Sequence, residues 1–199
     1  HLKAGKNPAP ARPVKIEEKG DAYEMGGQVF KKDFSGPFRL VLTDPDGKEI
    51  TSAEVPVTWS VWESGPIRSC LRAESPTAPD KFGFIAWVYA YADQTRWDLT
   101  VALKNTPRKF RGPFYFKDFS VVWEPKELQG ARDYLLGGSE GKVVSGQLQG
   151  QSAYLLQASE GTNGYQAFSG EKELGAGGAA LGWGGLNGGA RSAVACTRY

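Results

Sequence analysis

Histidine and cysteine are scarce in this chain of 199 residues, and their scarcity excludes several classes of site. His1 is the only histidine, so a Ser-His-Asp triad or a three-histidine zinc site would have to use the first residue. Two cysteines are too few for a thiolate-rich metal centre. The Gly-rich run at 175–189 lacks the lysine of a phosphate-binding loop. We therefore expect no metal and no cofactor.

The two cysteines, Cys70 and Cys196, leave two interpretations open. They are either two buried free thiols, behaving as small hydrophobic residues, or the ends of one long-range disulfide. Nothing in their spacing separates the two.

Charge of one sign and long apolar runs are also lacking. The chain has 24 Lys and Arg against 22 Asp and Glu, a net charge of +2. This balance gives no electrostatic reason to expect a nucleic-acid partner. No apolar run approaches the roughly 20 residues of a transmembrane helix, so we expect no membrane span. The chain begins at His1 with neither Met nor a signal-type segment, and we expect it to be a processed or excised piece.

Glycine, proline and aromatic residues are abundant, and they favour an all-β fold with little helix. There are 26 Gly and 12 Pro, and aromatic residues make up 12% of the chain. This composition suits short strands joined by tight turns. Apolar and polar residues alternate in Val57–Glu63, with Trp59 on one side and Trp62 on the other. Strands are predicted at 14–18, 22–31, 38–43, 49–54, 57–63, 67–75, 82–92, 95–104 and 114–123.

A long hairpin between Phe84 and Leu103 allows its register to be predicted. If Asp93-Gln94 is the turn, the numbers of facing residues sum to 187. One face is then apolar and forms the core. It carries Phe84, Ala86, Val88 and Ala90 opposite Trp97, Leu99, Val101 and Leu103.

The other face of this hairpin mixes aromatic and charged residues. It carries Trp87, Tyr89 and Tyr91 opposite Arg96, Asp98 and Thr100. Aromatic residues usually lie in the core, so an aromatic row on the outer face indicates a surface that stacks on sugars or contacts another protein. Trp62 is a further candidate for such stacking. The alternative is a face that another sheet covers, or one built of ordinary cross-strand pairs.

A basic and aromatic segment follows the hairpin. Arg108, Lys109 and Arg111 could hold an anionic polymer or a uronate carboxylate, and Arg198 near the end of the chain is a further candidate. The alternative is a solvated loop beside a strand, because acidic residues lie close by.

The domain organisation is predicted from shifts in composition. Residues 1–13 are polar, contain proline and form a flexible lead-in. Residues 14–125 form a β-barrel domain, and 126–199 form a second β-rich domain. The Gly-rich run at 175–189 is punctuated by Leu and Trp, which favours strand ends and wide turns over a linker.

Three segments and the hairpin together resemble the N-terminal half of the exo-rhamnogalacturonan lyase family. The segments are WESGPIRSCLRAES (62–75), YLLQASEG (154–161) and GWGGLNGGARSAVACTRY (182–199). The resemblance covers about residues 13–199 and implies a RIFT-type β-barrel, or a sandwich, followed by part of a second β domain. In that family a helical toroid domain comes next, so the resemblance implies that the second domain is incomplete here.

The resemblance implies a carbohydrate-active, secreted or extracellular protein that is the non-catalytic β portion of a pectin lyase. Such lyases work by β-elimination, in which a cation or metal stabilises the charge beside the uronate carboxylate while a base removes a proton. No catalytic residue can be assigned, and any lyase activity would need the missing helical domain. The expected partner is a polysaccharide or another protein subunit, including a second copy. The alternatives are a structural, self-assembling β protein and a plain carbohydrate-binding module.

Overall fold

The computed structural model describes residues 9–76, 82–104, 115–123, 133–148, 152–157, 164–188 and 192–196. The chain divides into two compact units, residues 1–124 and residues 125–199. Within the described residues both units are built of antiparallel strands, and the only helical element is a short 3-10 turn at Ser52–Glu54. The predicted all-β class is confirmed. No helix among these residues is long and apolar enough to cross a bilayer.

The first unit begins with sheet A, in which three short strands pair in chain order. The strands are β1 (Ile16–Lys19), β2 (Ala22–Met25) and β3 (Gln28–Lys31). The sequence predicted one strand over 22–31, and that prediction was wrong. Gly26 and Gly27 have φ of +59° and +80°, which make a two-residue hairpin turn in the middle of the predicted strand.

Sheet B is assembled from three strands in the order β10-β4-β5. The strands are β4 (Phe38–Thr43), β5 (Glu49–Thr51) and β10 (Asp118–Trp123). The turn between β4 and β5 is closed by hydrogen bonds from Asp44 N to Lys48 O and from Gly47 N to Asp44 O, both 3.0 Å. Gly47 has φ of +87°, a conformation that L-residues with a side chain rarely adopt.

Sheet C is the largest of this unit, with four strands paired in chain order. The strands are β6 (Thr58–Ser64), β7 (Arg68–Glu74), β8 (Gly83–Tyr91) and β9 (Trp97–Lys104). Facing residues of β8 and β9 run from Gly83 with Lys104 to Ala90 with Trp97, so their numbers sum to 187 as predicted. The predicted division into an apolar and a mixed face follows from this register.

The apolar face of sheet C carries the core of the first unit. At one end it packs on sheet B, and at the other end it packs on sheet A. The cluster with sheet B includes Leu40, Leu42, Ile50, Ala73, Phe84 and Ala86. The cluster with sheet A includes Met25, Phe30, Leu71, Val88 and Ala90. Each of these residues is at most 8% exposed, so sheets A and B cover this side of sheet C.

The predicted closed barrel is not formed by the described residues. Closure into a barrel would require the edge strands of these sheets to pair with one another. Among the described residues they do not, and sheets A, B and C each remain open. The chain is not extended between sheet B and sheet C, since the 3-10 turn at Ser52–Glu54 and Pro56 separate β5 from β6. Two sheets stacked on one face of a third correspond to the sandwich alternative.

The second unit contains two sheets in its described part. Sheet D has the order β12-β11-β16-β17, and sheet E has the order β13-β14-β15. The strands of sheet D are β11 (Asp133–Gly137), β12 (Val143–Gln147), β16 (Trp183–Asn187) and β17 (Ser192–Cys196). Those of sheet E are β13 (Ala153–Gln157), β14 (Tyr165–Ser169) and β15 (Lys172–Gly177).

The core of the second unit is small and lies around Tyr134, Leu136, Tyr165 and Ala167. Glycines let large rings approach the backbone closely here. A Cβ on Gly146 would lie 2.5 Å from the Tyr134 hydroxyl oxygen, and one on Gly137 would lie 2.3 Å from Trp183 Nε1. Much of the Gly-rich run 175–189 lies in β15 and β16 and in the turn between them, as predicted.

Candidate functional site

The outer face of sheet C, opposite the core, combines aromatic rings with paired charges. We define this outer face by Trp62, Glu63, Arg68, Cys70, Arg72, Glu74, Trp87, Tyr89, Tyr91, Arg96, Asp98 and Lys104. Register places most of them together, because every second residue of a strand points to the same side of a sheet. Trp62 and Arg96 have no partner in the register and join the face through contacts with Arg72 and Tyr91. The structure therefore brings together all six residues predicted for carbohydrate binding, which are Trp62, Trp87, Tyr89, Tyr91, Arg96 and Asp98.

A row of three aromatic rings runs along β8. Trp87, Tyr89 and Tyr91 alternate with the buried residues of the strand and are each partly exposed. Residues two apart in a strand are about 6.7 Å apart, so the row extends for about 13 Å. Arg72 of β7 faces Trp87, and Arg68 faces Tyr91. The row is thus flanked by cations on its β7 side.

Trp62 joins this face through a β-bulge in the edge strand β6. Val61 pairs with Leu71 and Glu63 pairs with Cys70, so Trp62 is the extra residue of the strand. A bulge bends the strand and redirects the side chain at the extra position. The Trp62 indole is 61% exposed, and the guanidinium of Arg72 lies over its ring at 5.6 Å from the centroid.

Each of the three arginines of the outer face contacts both a ring and a carboxylate. Arg68 lies 5.4 Å from the Tyr89 centroid and donates to both carboxylate oxygens of Glu63, at 3.0 and 2.7 Å. Arg96 lies 5.1 Å from the Tyr91 centroid and donates to Asp98 at 2.8 Å. A guanidinium over an aromatic ring is attracted by the ring quadrupole, so these contacts hold the side chains in place.

The third arginine belongs to a group of three charges. Arg72 Nη2 lies 2.5 Å from Glu74 Oε2, and the Lys104 ammonium contacts the other oxygen of Glu74. Lys104 also donates to the carbonyl of Ser75 at 2.9 Å. Hydrogen bonds from Lys104 and then Arg72 lower the pKa of Glu74, so the carboxylate is held in its charged form.

The outer face also covers a thiol. Cys70 is fully buried although its neighbours on this face are not, and it lies opposite Tyr89 on β8 and Glu63 on β6. Burial raises the pKa of the Cys70 thiol, and burial together with Cys70 raises the pKa of Tyr89. A neutral, buried thiol is a weak nucleophile, so Cys70 packs rather than reacts.

The Cys70–Cys196 disulfide, one of the two interpretations left open by the sequence, is not formed. Both cysteines are free, Cys70 buried and Cys196 exposed. The other interpretation was that both cysteines are buried free thiols. It is correct for Cys70 and wrong for Cys196, which lies on the edge strand β17 with its side chain towards solvent.

The predicted anion-binding residues Arg108, Lys109, Arg111 and Arg198 lie outside the described residues. Within the described residues no group of three or more His, Cys, Asp or Glu is arranged to hold a metal ion. Every buried side-chain nitrogen and oxygen that the structure describes has a hydrogen-bond partner. The outer face of sheet C therefore remains the candidate site.

Several residues of the outer face were not singled out as candidates by the sequence. These are Glu63, Arg68, Arg72 and Glu74. The sequence could have predicted that three of them share a face. Arg68, Arg72 and Glu74 are separated by even numbers of residues, so they lie on the same side if 67–75 is a strand. Alternation predicted the side of the strand on which Trp62 lies, but it did not predict the bulge that sets its position beside Arg72.

No family model, curated protein or solved structure matches the chain. The geometry of the outer face and the sequence segments quoted above are therefore the basis for a functional proposal.

Proposed function

We propose that this chain is a carbohydrate-binding β protein that holds a uronate-containing polysaccharide on the outer face of sheet C. The observation that carries the proposal is the combination, on one face, of one exposed and three partly exposed rings with arginines. The rings are Trp62, Trp87, Tyr89 and Tyr91. Sugar rings present apolar faces that stack on such side chains, and carboxylates are bound by guanidinium groups.

The way in which the rings are held supports this proposal. The β8 row stands on a strand that is paired on both sides and whose inner residues are buried. Tyr91 is fixed further by a hydrogen bond from its hydroxyl to Asp98, 2.8 Å long. Preordered rings lose little conformational entropy on binding, which favours the recognition of a weakly held polymer.

The resemblance to exo-rhamnogalacturonan lyases gives the proposal its substrate class and setting. The segment 62–75, which carries part of the resemblance, forms the β6–β7 hairpin that displays Trp62 and Arg72. On this proposal the chain is the non-catalytic, extracellular β portion of a pectin-degrading lyase, and the ligand is rhamnogalacturonan. The chemistry of β-elimination is left to residues outside this face.

Retention on immobilised rhamnogalacturonan tests the proposal. We expect the wild-type chain to be retained and Trp87→Ala to bind roughly tenfold more weakly, because one stacking platform is lost. Tyr154→Ala is a matched control, since Tyr154 is an exposed ring that stacks on Phe168 in the other unit.

Two results would contradict the proposal. One is a wild-type chain that passes through the column unretarded. The other is a Trp87→Ala variant that keeps the wild-type thermal unfolding midpoint and is retained as strongly as wild type. Thermal unfolding of each variant separates a lost platform from a lost fold.

A further inference from the structure

The positive charge of the outer face of sheet C is concentrated at one place. Arg68 with Glu63 and Arg96 with Asp98 are each neutral pairs. Arg72, Glu74 and Lys104 form a group of two cations and one anion, which is a net charge of +1. An anion approaching this face is therefore attracted most strongly to the Arg72 end of β7.

The most exposed ring of the outer face lies at the same place. Trp62 is 61% exposed, whereas the three rings of β8 are only partly exposed. The bulge in β6 places the Trp62 indole beside Arg72, with the guanidinium 5.6 Å from the ring centroid. A flat apolar surface and an excess positive charge are thus within the span of one sugar ring.

The ion pair with Glu74 leaves most N–H donors of the Arg72 guanidinium unused. Its ion pair to Glu74 runs through the single nitrogen Nη2, and Lys104 shares the charge of that carboxylate. Among the described residues Arg72 has no second acidic partner. Arg68, by contrast, directs both Nε and Nη2 at Glu63. A guanidinium has five N–H donors, so Arg72 can bind a ligand anion without breaking its contact with Glu74.

We propose that Trp62 and Arg72 form a subsite for one anionic sugar ring, with the ring face on the indole and its carboxylate on the guanidinium. This inference rests on the proposed function and names the part of the outer face that recognises the acid group. Lys104 acts as a positioning residue, since it holds Glu74 and leaves Arg72 with surplus charge. The rings of β8 bind neighbouring sugars without regard to charge.

Binding to three oligosaccharides tests the subsite. The probes are an oligogalacturonate, the same oligosaccharide with its carboxylates reduced to alcohols, and a sulfated oligosaccharide of equal length. Calorimetry gives the affinity of the full chain for each. We expect wild type to bind the oligogalacturonate at least tenfold more tightly than the reduced form, and we expect this preference to decrease as salt is raised. Stronger binding of the sulfated probe would identify a sulfate ester as the anion and overturn the carboxylate assignment.

Variants assign the preference to residues. Arg72→Gln should abolish the preference for the carboxylated probe while keeping the affinity for the reduced probe, and Trp62→Ala should weaken both. Lys32→Gln is the matched control. Lys32 also lies over a ring, 5.2 Å from the Tyr23 centroid, and pairs with Glu18, but it belongs to the sheet A side of the unit.

The outcomes separate this inference from the proposed function. If wild type is retained on immobilised rhamnogalacturonan but binds none of the three probes, the subsite is overturned and the proposed function stands; if wild type is not retained either, both fail. If wild type prefers the carboxylate and Arg72→Gln retains that preference, the subsite alone is overturned. A loss of preference in Lys32→Gln as large as that in Arg72→Gln would also overturn it, because the effect would then be one of net charge.

Discussion

At the scale of single residues, the outer face of sheet C depends on arginines that are fixed before any ligand arrives. The guanidinium groups of Arg68, Arg72 and Arg96 each lie over a ring and beside a carboxylate. Exposed ion pairs contribute little to stability, because water and salt screen their charges. Their main effect here is on geometry, because they hold long side chains in one conformation and so lower the entropy cost of binding.

The two thiols give a residue-scale prediction. Cys196 is exposed and Cys70 is fully buried with a raised pKa, so one thiol per folded chain should react rapidly with an aromatic disulfide reagent. The second should react only when denaturant unfolds the first unit. Spectrophotometric titration counts both, and Cys196→Ser, which should abolish the rapid phase, is the control. If no thiol reacts until a reductant is added, the chain contains the Cys70–Cys196 disulfide and the prediction of two free thiols is wrong.

At the scale of strands and sheets, alternation predicted much of the first unit. The β8–β9 register followed from the turn at Asp93-Gln94, and the two faces of the hairpin followed from the register. The sequence did not predict that 22–31 forms two strands, β2 and β3. Gly26-Gly27 is typical of a turn, but the residues on either side of it are typical of a strand. The bulge at Trp62 was missed because it changes the register by one residue without changing composition.

A single methyl group tests the second unit at this scale. In sheet D the Trp183 ring packs on Gly137, and a Cβ there would lie 2.3 to 2.6 Å from three ring atoms. Gly137→Ala should displace the indole and lower the free energy of unfolding by about 1–3 kcal/mol. Chemical denaturation gives the free energy, and tryptophan fluorescence reports the displacement.

Gly175→Ala is the matched control for this prediction. It adds the same methyl group to β15, where the nearest atom, Val144 Cγ2, would be 3.8 Å away. This is an ordinary contact distance, so we expect a change of less than about 1 kcal/mol. Equal stabilities for the two variants would contradict the packing of Trp183 on Gly137.

At the scale of the whole molecule, composition was sufficient for the all-β class but not for the way the sheets assemble. Glycine, proline and aromatic content predicted short strands, and these are what the structure contains. Barrel closure could not be decided from sequence, because it depends on whether distant edge strands meet. Sheet C instead keeps two unpaired edges, β6 and β9, and one uncovered side among the described residues. That uncovered side is the candidate site.

The distribution of charge on the candidate site could not be predicted from composition either. A net charge of +2 for the chain says nothing about where charge is concentrated. The surplus at Arg72 arises because Lys104, at the end of β9, crosses to Glu74 of β7. The two residues are 30 apart in the chain, and only the pairing of β7, β8 and β9 brings them together.

The most direct measurement of the central claim is an NMR titration of the tryptophan indole N–H signals with a rhamnogalacturonan oligosaccharide. Trp62 and Trp87 lie on the outer face of sheet C, whereas Trp59 Nε1 donates to the Lys32 carbonyl at 2.9 Å on the core side. We predict saturable shifts of the Trp62 and Trp87 signals and none for Trp59. Shifts confined to other tryptophans, or no shifts at all, would contradict the claim that this face binds the polysaccharide.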